Sequence, residues 1–276
     1  MLLLLLIRSF NKELETSKKG GPATKITLGT TPNSLPNCEI NSCSVGMINP
    51  GRMRTIIVAR DAILGPIKNK PVQLPDGTIL SPTSTEENKL FGLWKVHFEL
   101  SKDLGKTWSK IEPAPVALEK SIQAIQPSIL FHNNKLQALG RSKGGKIFET
   151  WSEDLGKSWS ALSYTNLPNP NSGTDAVTLK NGSHLLVYNH TEKGRSPLNL
   201  AISKDGKNWE AALVLEKDPG EYSYPAIIQT ADGMVHITYT WKRLRVRHLM
   251  IDPAMLSGKA IIGGEWPKYK CTCDEL

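Results

Sequence analysis

No stretch of this sequence is apolar for long enough to cross a membrane as a helix. The opening MLLLLLI is about a third of the roughly 20 residues that a span requires. The run also lacks the basic leading segment and small-residue cleavage site of a secretory signal, so it makes only a weak case for secretion, and the compartment stays open. The closing CDEL lacks the lysine of an ER-retention tail.

Cysteine is scarce, at four residues. Neither Cys38 with Cys43 nor Cys271 with Cys273 has the two-residue gap of a zinc knuckle, and no histidine stands beside them at ligand spacing. They read as free thiols or as incidental, and no metal or cofactor is expected. No block of five or six like charges occurs either. The formal charge of +8 therefore reads as a solvated lysine-rich surface, with no nucleic-acid motif to suggest otherwise. A basic balance of this kind still favours an anionic or carboxylate-bearing ligand. The oligomeric state stays open.

What is present is a repeat. SKDLGKTWS begins at Ser101, SEDLGKSWS at Ser152 and the shorter SKDGKNW at Ser203, so that Asp103, Asp154 and Asp205 recur every 51 residues. A fixed period of about 50 residues marks a repeated supersecondary unit. Each phrase closes a layout of short apolar runs separated by turns. The leading hairpins are KPVQLPDGTILSPTST, QPSILFHNNKLQALGRS, DAVTLKNGSHLLVYNHT and YPAIIQTADGMVHITYTW. Their turns, Asp76-Gly77, Asn133-Asn134, Asn181-Gly182 and Asp232-Gly233, use residues that tolerate positive φ. Alternating runs such as VHITYTW fit strands, and no helical period competes with them.

Within the phrase, the aspartate can accept backbone N–H bonds in a tight turn, the glycine permits that turn, and Trp108, Trp159 or Trp209 packs under the next strand. The phrase is a structural clasp. Units of this size with three or four antiparallel strands predict an all-β fold, a β-propeller, with four blades legible between about Asn69 and Asp252 and very little helix. Residues 1–60 form a divergent N-terminal segment in which early blades are missing or degenerate, 61–253 the propeller, and 254–276 a C-terminal tail. Aligned hairpins place Lys70, Gln126, Asp175 and Tyr224 at one equivalent position, where four blades converge on a common axis around a pocket.

The phrase is the Asp-box, or bacterial neuraminidase repeat, and the chain resembles the sialidase superfamily. GPIKNKP, IQPSIL, NPNSGTDAVTLKNG, YNHTEKGRSPLNLAIS and EYSYPAIIQTADG are similar to the branch of bacteria and plants known as predicted neuraminidases. The resemblance implies a six-bladed propeller, an arginine triad that holds a substrate carboxylate, a tyrosine–glutamate nucleophile pair and an acid/base aspartate on an early loop. It places Arg141 and Arg195 at two triad positions, where bidentate carboxylate capture calls for arginine. Tyr222 and Tyr224 both qualify as the nucleophile: the family pattern Tyr-Ser-x-x-Ala favours Tyr222, the internal repeat Tyr224. Asn69, Asn171, Ser172 and Gly173 lie in neighbouring loops suited to sugar hydroxyls, and His190 and Glu86 end strands beside the same mouth.

Three departures stand against a simple assignment. Gln126 occupies the position of the glutamate partner and cannot act as a base. The Phe-Arg-Ile-Pro segment that carries the remaining triad arginine is absent, and Asp61 is an unconvincing acid/base. Asp175 and Glu221 are the local carboxylates left to activate a tyrosine whose unperturbed pKa is about 10. The expected activity is exo-acting hydrolysis of a terminal sialic acid or related acidic sugar from a glycoconjugate. A catalytically impaired glycan-binding propeller and a scaffold propeller without a sugar site are the alternatives.

Overall fold

The structure is a computed structural model and describes residues 64–86 and 93–268, together with the backbone of an antiparallel hairpin, Ser44–Asn49 with Arg52–Ile57. Asp61 lies outside the described residues, as do all four cysteines. The described chain is built from antiparallel sheets with two single-turn 3-10 segments, Leu118–Lys120 and Pro253–Met255. No helix among these residues is long and apolar enough to cross a membrane.

Four sheets follow one another as propeller blades. Blade one pairs Val72–Gln73, Ile79–Glu86, Trp94–Ser101 and Ser109–Ile111. Blade two pairs Ala124–His132, Lys135–Ser142, Lys146–Ser152 and Ser163–Pro168. Blade three pairs Asp175–Thr178, His184–Tyr188, Leu198–Ser203 and Trp209–Glu216, with Lys259–Ala260 added at its outer edge. Blade four has Tyr222–Gln229, Val235–Trp241 and Arg245–Ile251. The leading hairpins turn where the sequence places them, with left-handed φ at Gly77, Asn133, Gly182 and Gly233.

Each interface between successive blades is one apolar cluster, because alternate residues along a strand face opposite neighbours. Leu80, Phe98, Leu136 and Phe148 fill the space between blades one and two. Leu139, Ile147, Leu186 and Trp209 fill the next, and Leu185, Leu200, Tyr222, Ile237 and Tyr239 the third. Trp159 closes the first interface by stacking on Phe98, with ring centroids 3.8 Å apart and planes 10° from parallel. Such a pair contributes about 0.5–1.5 kcal/mol beyond its buried area.

The repeated phrase is a hydrogen-bonded turn in all three copies. Asp103 accepts from the Thr107 N–H at 2.8 Å and its hydroxyl at 2.6 Å, while Ser101 Oγ receives the Gly105 N–H at 2.7 Å. Asp154 repeats this with Ser158, and Asp205 does so with Asn208. Trp108 and Trp209 each donate their indole N–H to the turn glycine carbonyl, at 3.0 and 3.1 Å. The turns also dock on the preceding blade: Gly156 packs against Leu80, and the Gly206 carbonyl accepts from Gln137 at 2.9 Å.

Candidate functional site

The innermost strands bring their first residues to one end of the propeller axis, and the segment leading into blade one folds across that end. Glu99, fully buried in blade one, anchors the segment by accepting the Leu64 and Gly65 N–H groups, each at 2.8 Å. Two lysines of this segment then point inward. Lys70 Nζ bonds both carboxylate oxygens of Asp175, at 2.9 and 2.8 Å, and the Ala176 carbonyl at 2.9 Å. Lys68 Nζ, buried, donates to Thr174 O at 2.7 Å, Pro225 O at 2.9 Å and Asn69 Oδ1 at 3.2 Å.

Asp175 is the hub of this end. Besides Lys70 it accepts from Ser128 Oγ at 2.8 Å and from the Ile227 N–H at 2.9 Å, so one carboxylate touches elements of blades one to four. Burial raises its pKa, but the charges of Lys70 and Lys68 and the bonds from Lys70 and Ile227 outweigh that and hold it below the ordinary aspartate value. Lys68 runs the other way. Desolvation pulls its ammonium down to about 7, reinforced by the neighbouring charges of Lys70 and Arg141 and opposed by Asp175.

Gln126 and Tyr224 sit on matching irregularities. The pairing of blade two's inner strand shifts between Ile125 and Ser128, and that of blade four's between Ser223 and Ala226. Within these bulges Gln126 and Tyr224 adopt φ of +57° and +51°. The bulge separates the two candidate tyrosines. Tyr222 is packed into the core between blades three and four, where burial and the carboxylates of Glu216 and Asp218 push its phenol up. Tyr224 is half-buried, its ring beside the Lys68 stem across Gly173: a β-carbon on that glycine would lie 3.1 Å from Lys68 Cε and 3.4 Å from Tyr224 Cδ1.

Arg141 completes this side. Its guanidinium donates to the Asn171 carbonyl at 3.3 Å and lies 5.1 Å from the Trp94 ring centroid, with Lys143 4.9 Å from the same ring. Asn171 holds φ of +60°, and its Oδ1 has no hydrogen-bond partner among the described residues. Buried Gln126 Oε1 is likewise without one.

The remaining sequence candidates are placed as follows. Asn69 is buried and spends its amide on Ser128 and on Thr174 O. Ser172 bonds Asn169 beneath the loop. His190 bonds the Tyr188 hydroxyl at 2.6 Å, and Glu86 is exposed opposite Trp94. Arg195 bridges to Glu221 between blades three and four, its carbonyl accepting the Tyr222 N–H at 3.1 Å. Glu221 itself is bonded by Arg243 at 2.6 Å, and desolvation is outweighed there by Arg243, Ser223 and the charge of Arg195 to keep its pKa low. Lys68, Ser128 and Trp94 are central here and were not singled out in the sequence. For Lys68 the signal was present, since KNK sets two lysines on the same segment as Asn69. No group of three or more His, Cys, Asp or Glu side chains among the described residues is arranged to hold a metal ion.

The fold resembles several solved structures. The NanB sialidase from Streptococcus pneumoniae matches with a TM-score of 0.54 and 17% identity over 68% of this chain and 31% of that chain. The leech intramolecular trans-sialidase complexed with 2,7-anhydro-Neu5Ac gives 0.50 and 16%, over 66% and 31%. A protein of unknown function from Dyadobacter fermentans gives 0.52 and 20%, over 63% and 49%. The chain thus spans about a third to a half of the length of these proteins, and the likeness is one of fold. Among curated proteins, none matches the chain. The model of the BNR repeat-like domain matches residues 52–237, which takes in the blades that carry the axial cluster, and the chain belongs to that family.

Proposed function

We propose that this propeller is a sialidase-like glycoside hydrolase that receives an acidic sugar at the axial end carrying Lys68, Lys70, Arg141, Asp175 and Tyr224. The observation that carries the reading is a convergence: Lys70 and Lys68 meet Asp175 at the axial end where Arg141, on Asn171 O, and half-buried Tyr224, beside the Lys68 stem, are also placed. Basic side chains gathered at the mouth of the axis favour an anionic ligand over a neutral one. Arg141, beside the Trp94 ring, offers the planar fork that a carboxylate accepts in bidentate fashion. Tyr224, turned out of its strand by the bulge, is the side chain in reach of a sugar bound there, and it takes the nucleophile's role in preference to core-packed Tyr222.

One observation favours the second reading, a glycan-binding propeller without turnover. Glycoside hydrolysis ordinarily uses a pair of carboxyl groups, whereas the carboxylate here is ion-paired and Gln126 is an amide. A panel of fluorogenic glycosides, sialosides included, separates the two when run on the wild-type chain and on Tyr224→Phe. Release of fluorophore from an acidic glycoside that falls at least about a hundredfold in Tyr224→Phe supports the hydrolase. Binding of the same sugars without release supports the lectin-like form, and neither binding nor release removes the sugar site altogether.

A further inference from the structure

We propose that His236 and His248 form a bidentate site for a divalent transition-metal ion, copper(II) in preference to zinc(II), on the outer hairpin of blade four. The site is remote from the axial cluster and independent of the sugar reading. It follows from strand register. Val235–Trp241 and Arg245–Ile251 pair so that Tyr239 faces Arg247 and Ile237 faces Leu249, while on the alternate face His236 lies opposite Met250 and Thr238 opposite His248. Successive residues point to opposite faces, so the two histidines are diagonal neighbours on one face of the hairpin.

Side-chain geometry fits the register. His236 Nδ1 and His248 Nε2 are 2.9 Å apart, with the rings 8° from parallel. Two nitrogens at that separation can occupy adjacent positions on one ion with metal–nitrogen bonds of about 2.0–2.1 Å. The pair shares a hydrogen bond. For both facing nitrogens to ligate, the ring that donates carries its proton on its other nitrogen, so neutral rings bind without net proton loss. Two imidazole nitrogens suit both ions, and the usual order of divalent affinities favours copper(II) over zinc(II).

The electrostatics of the hairpin permit a cation on this face. The strand's two arginines sit on the other face, where Arg247 pairs with Glu216 and the Arg245 guanidinium lies 4.7 Å from the Trp241 ring centroid. Asp232, in the turn leading into the first of the two strands, adds a carboxylate on the same hairpin, four residues before His236. A bound ion would join the two outer strands of the blade.

The test is titration of copper(II) and of zinc(II) into the metal-free full chain with its cysteine thiols alkylated, followed by calorimetry and by thermal unfolding. One equivalent of each metal is expected, with copper tighter. His236→Gln and His248→Gln, made separately so that neither rests on the folding of the other, should each weaken that equivalent at least about tenfold, because each removes the second arm of the chelate. The metal-dependent rise in Tm should vanish with it. Unchanged copper binding in both variants, or no bound equivalent in the wild type, would overturn the proposal.

Discussion

Gln126 and Tyr224, 98 positions apart in the chain, share one backbone conformation: each sits at left-handed φ inside a bulge of an inner strand, and each is followed by proline. A bulge with a residue in that region re-aims a side chain at a modest cost in strain. Here it turns Tyr224 away from the core that holds Tyr222.

A β-branched side chain tolerates this φ worst. Tyr224→Val should therefore lose about 1–3 kcal/mol more stability than Tyr224→Phe, measured by urea unfolding. Equal losses would mean that the bulge yields and does not constrain the tyrosine.

Asp175 should be the most costly single position in the axial cluster. Asp175→Ala leaves half-buried Lys70 with the Ala176 carbonyl, removes the counter-charge beside buried Lys68 and frees the Ile227 N–H, for a loss on the order of 3–5 kcal/mol. Lys70→Met in the same background should restore part of that loss, because the uncompensated charge goes with it. Strict additivity in the double-mutant cycle would contradict a coupled pair.

Much of this fold was legible because the repeat reports register directly. Asp103, Asp154 and Asp205 fix where blades one to three turn, and the aligned hairpins point to Lys70, Gln126, Asp175 and Tyr224, of which Gln126 and Tyr224 share a bulge at left-handed φ. Lys68, Ser128 and Trp94 were not legible, since what makes them matter lies in another blade: Lys68 meets Thr174 and Pro225, more than 100 residues away in sequence. The choice between Tyr222 and Tyr224 was closed to periodicity as well. Two residues apart, they would share a face of a regular strand, and only the irregular pairing separates them.

Lys68 makes stability rise with pH above neutrality. Its folded pKa is about 7 against a reference of 10.5, so between these values the unfolded chain binds the extra proton and loses it as pH rises. Denaturant unfolding across that window should show a positive slope that Lys68→Met flattens. A slope unchanged in Lys68→Met would show that its ammonium is not destabilised by burial.

Acid should act in two stages. The His184 ring lies tilted against His132, with centroids 4.2 Å apart, and burial, with the charge of His132, lowers its pKa from 6.5 to about 4. Protonation of the unfolded state therefore removes stability as pH falls from about 6.5 to 4. Below that, hydrogen bonds from Thr107 hold Asp103 at about 2, and bonds from Asn208 and Lys207 overcome desolvation to hold Asp205 there too, so their contribution persists above about 3.8 and is lost as pH falls through 2. His184→Gln should remove the first stage and Asp205→Asn part of the second, followed by thermal unfolding at stepped pH. Retention of both stages in these variants would assign the acid response elsewhere.

The central claim is that the axial cluster recognises a carboxylate. The most direct measurement is calorimetric binding of N-acetylneuraminic acid and of its methyl ester to the wild-type chain and to Arg141→Ala. The acid should bind the wild type and the ester only weakly. Arg141→Ala should lower affinity for the acid by roughly two orders of magnitude, as expected for deletion of a charge-assisted bidentate contact worth a few kcal/mol, while leaving the ester nearly unchanged. Equal binding of acid and ester, or equal losses for both in Arg141→Ala, would contradict carboxylate recognition at this site.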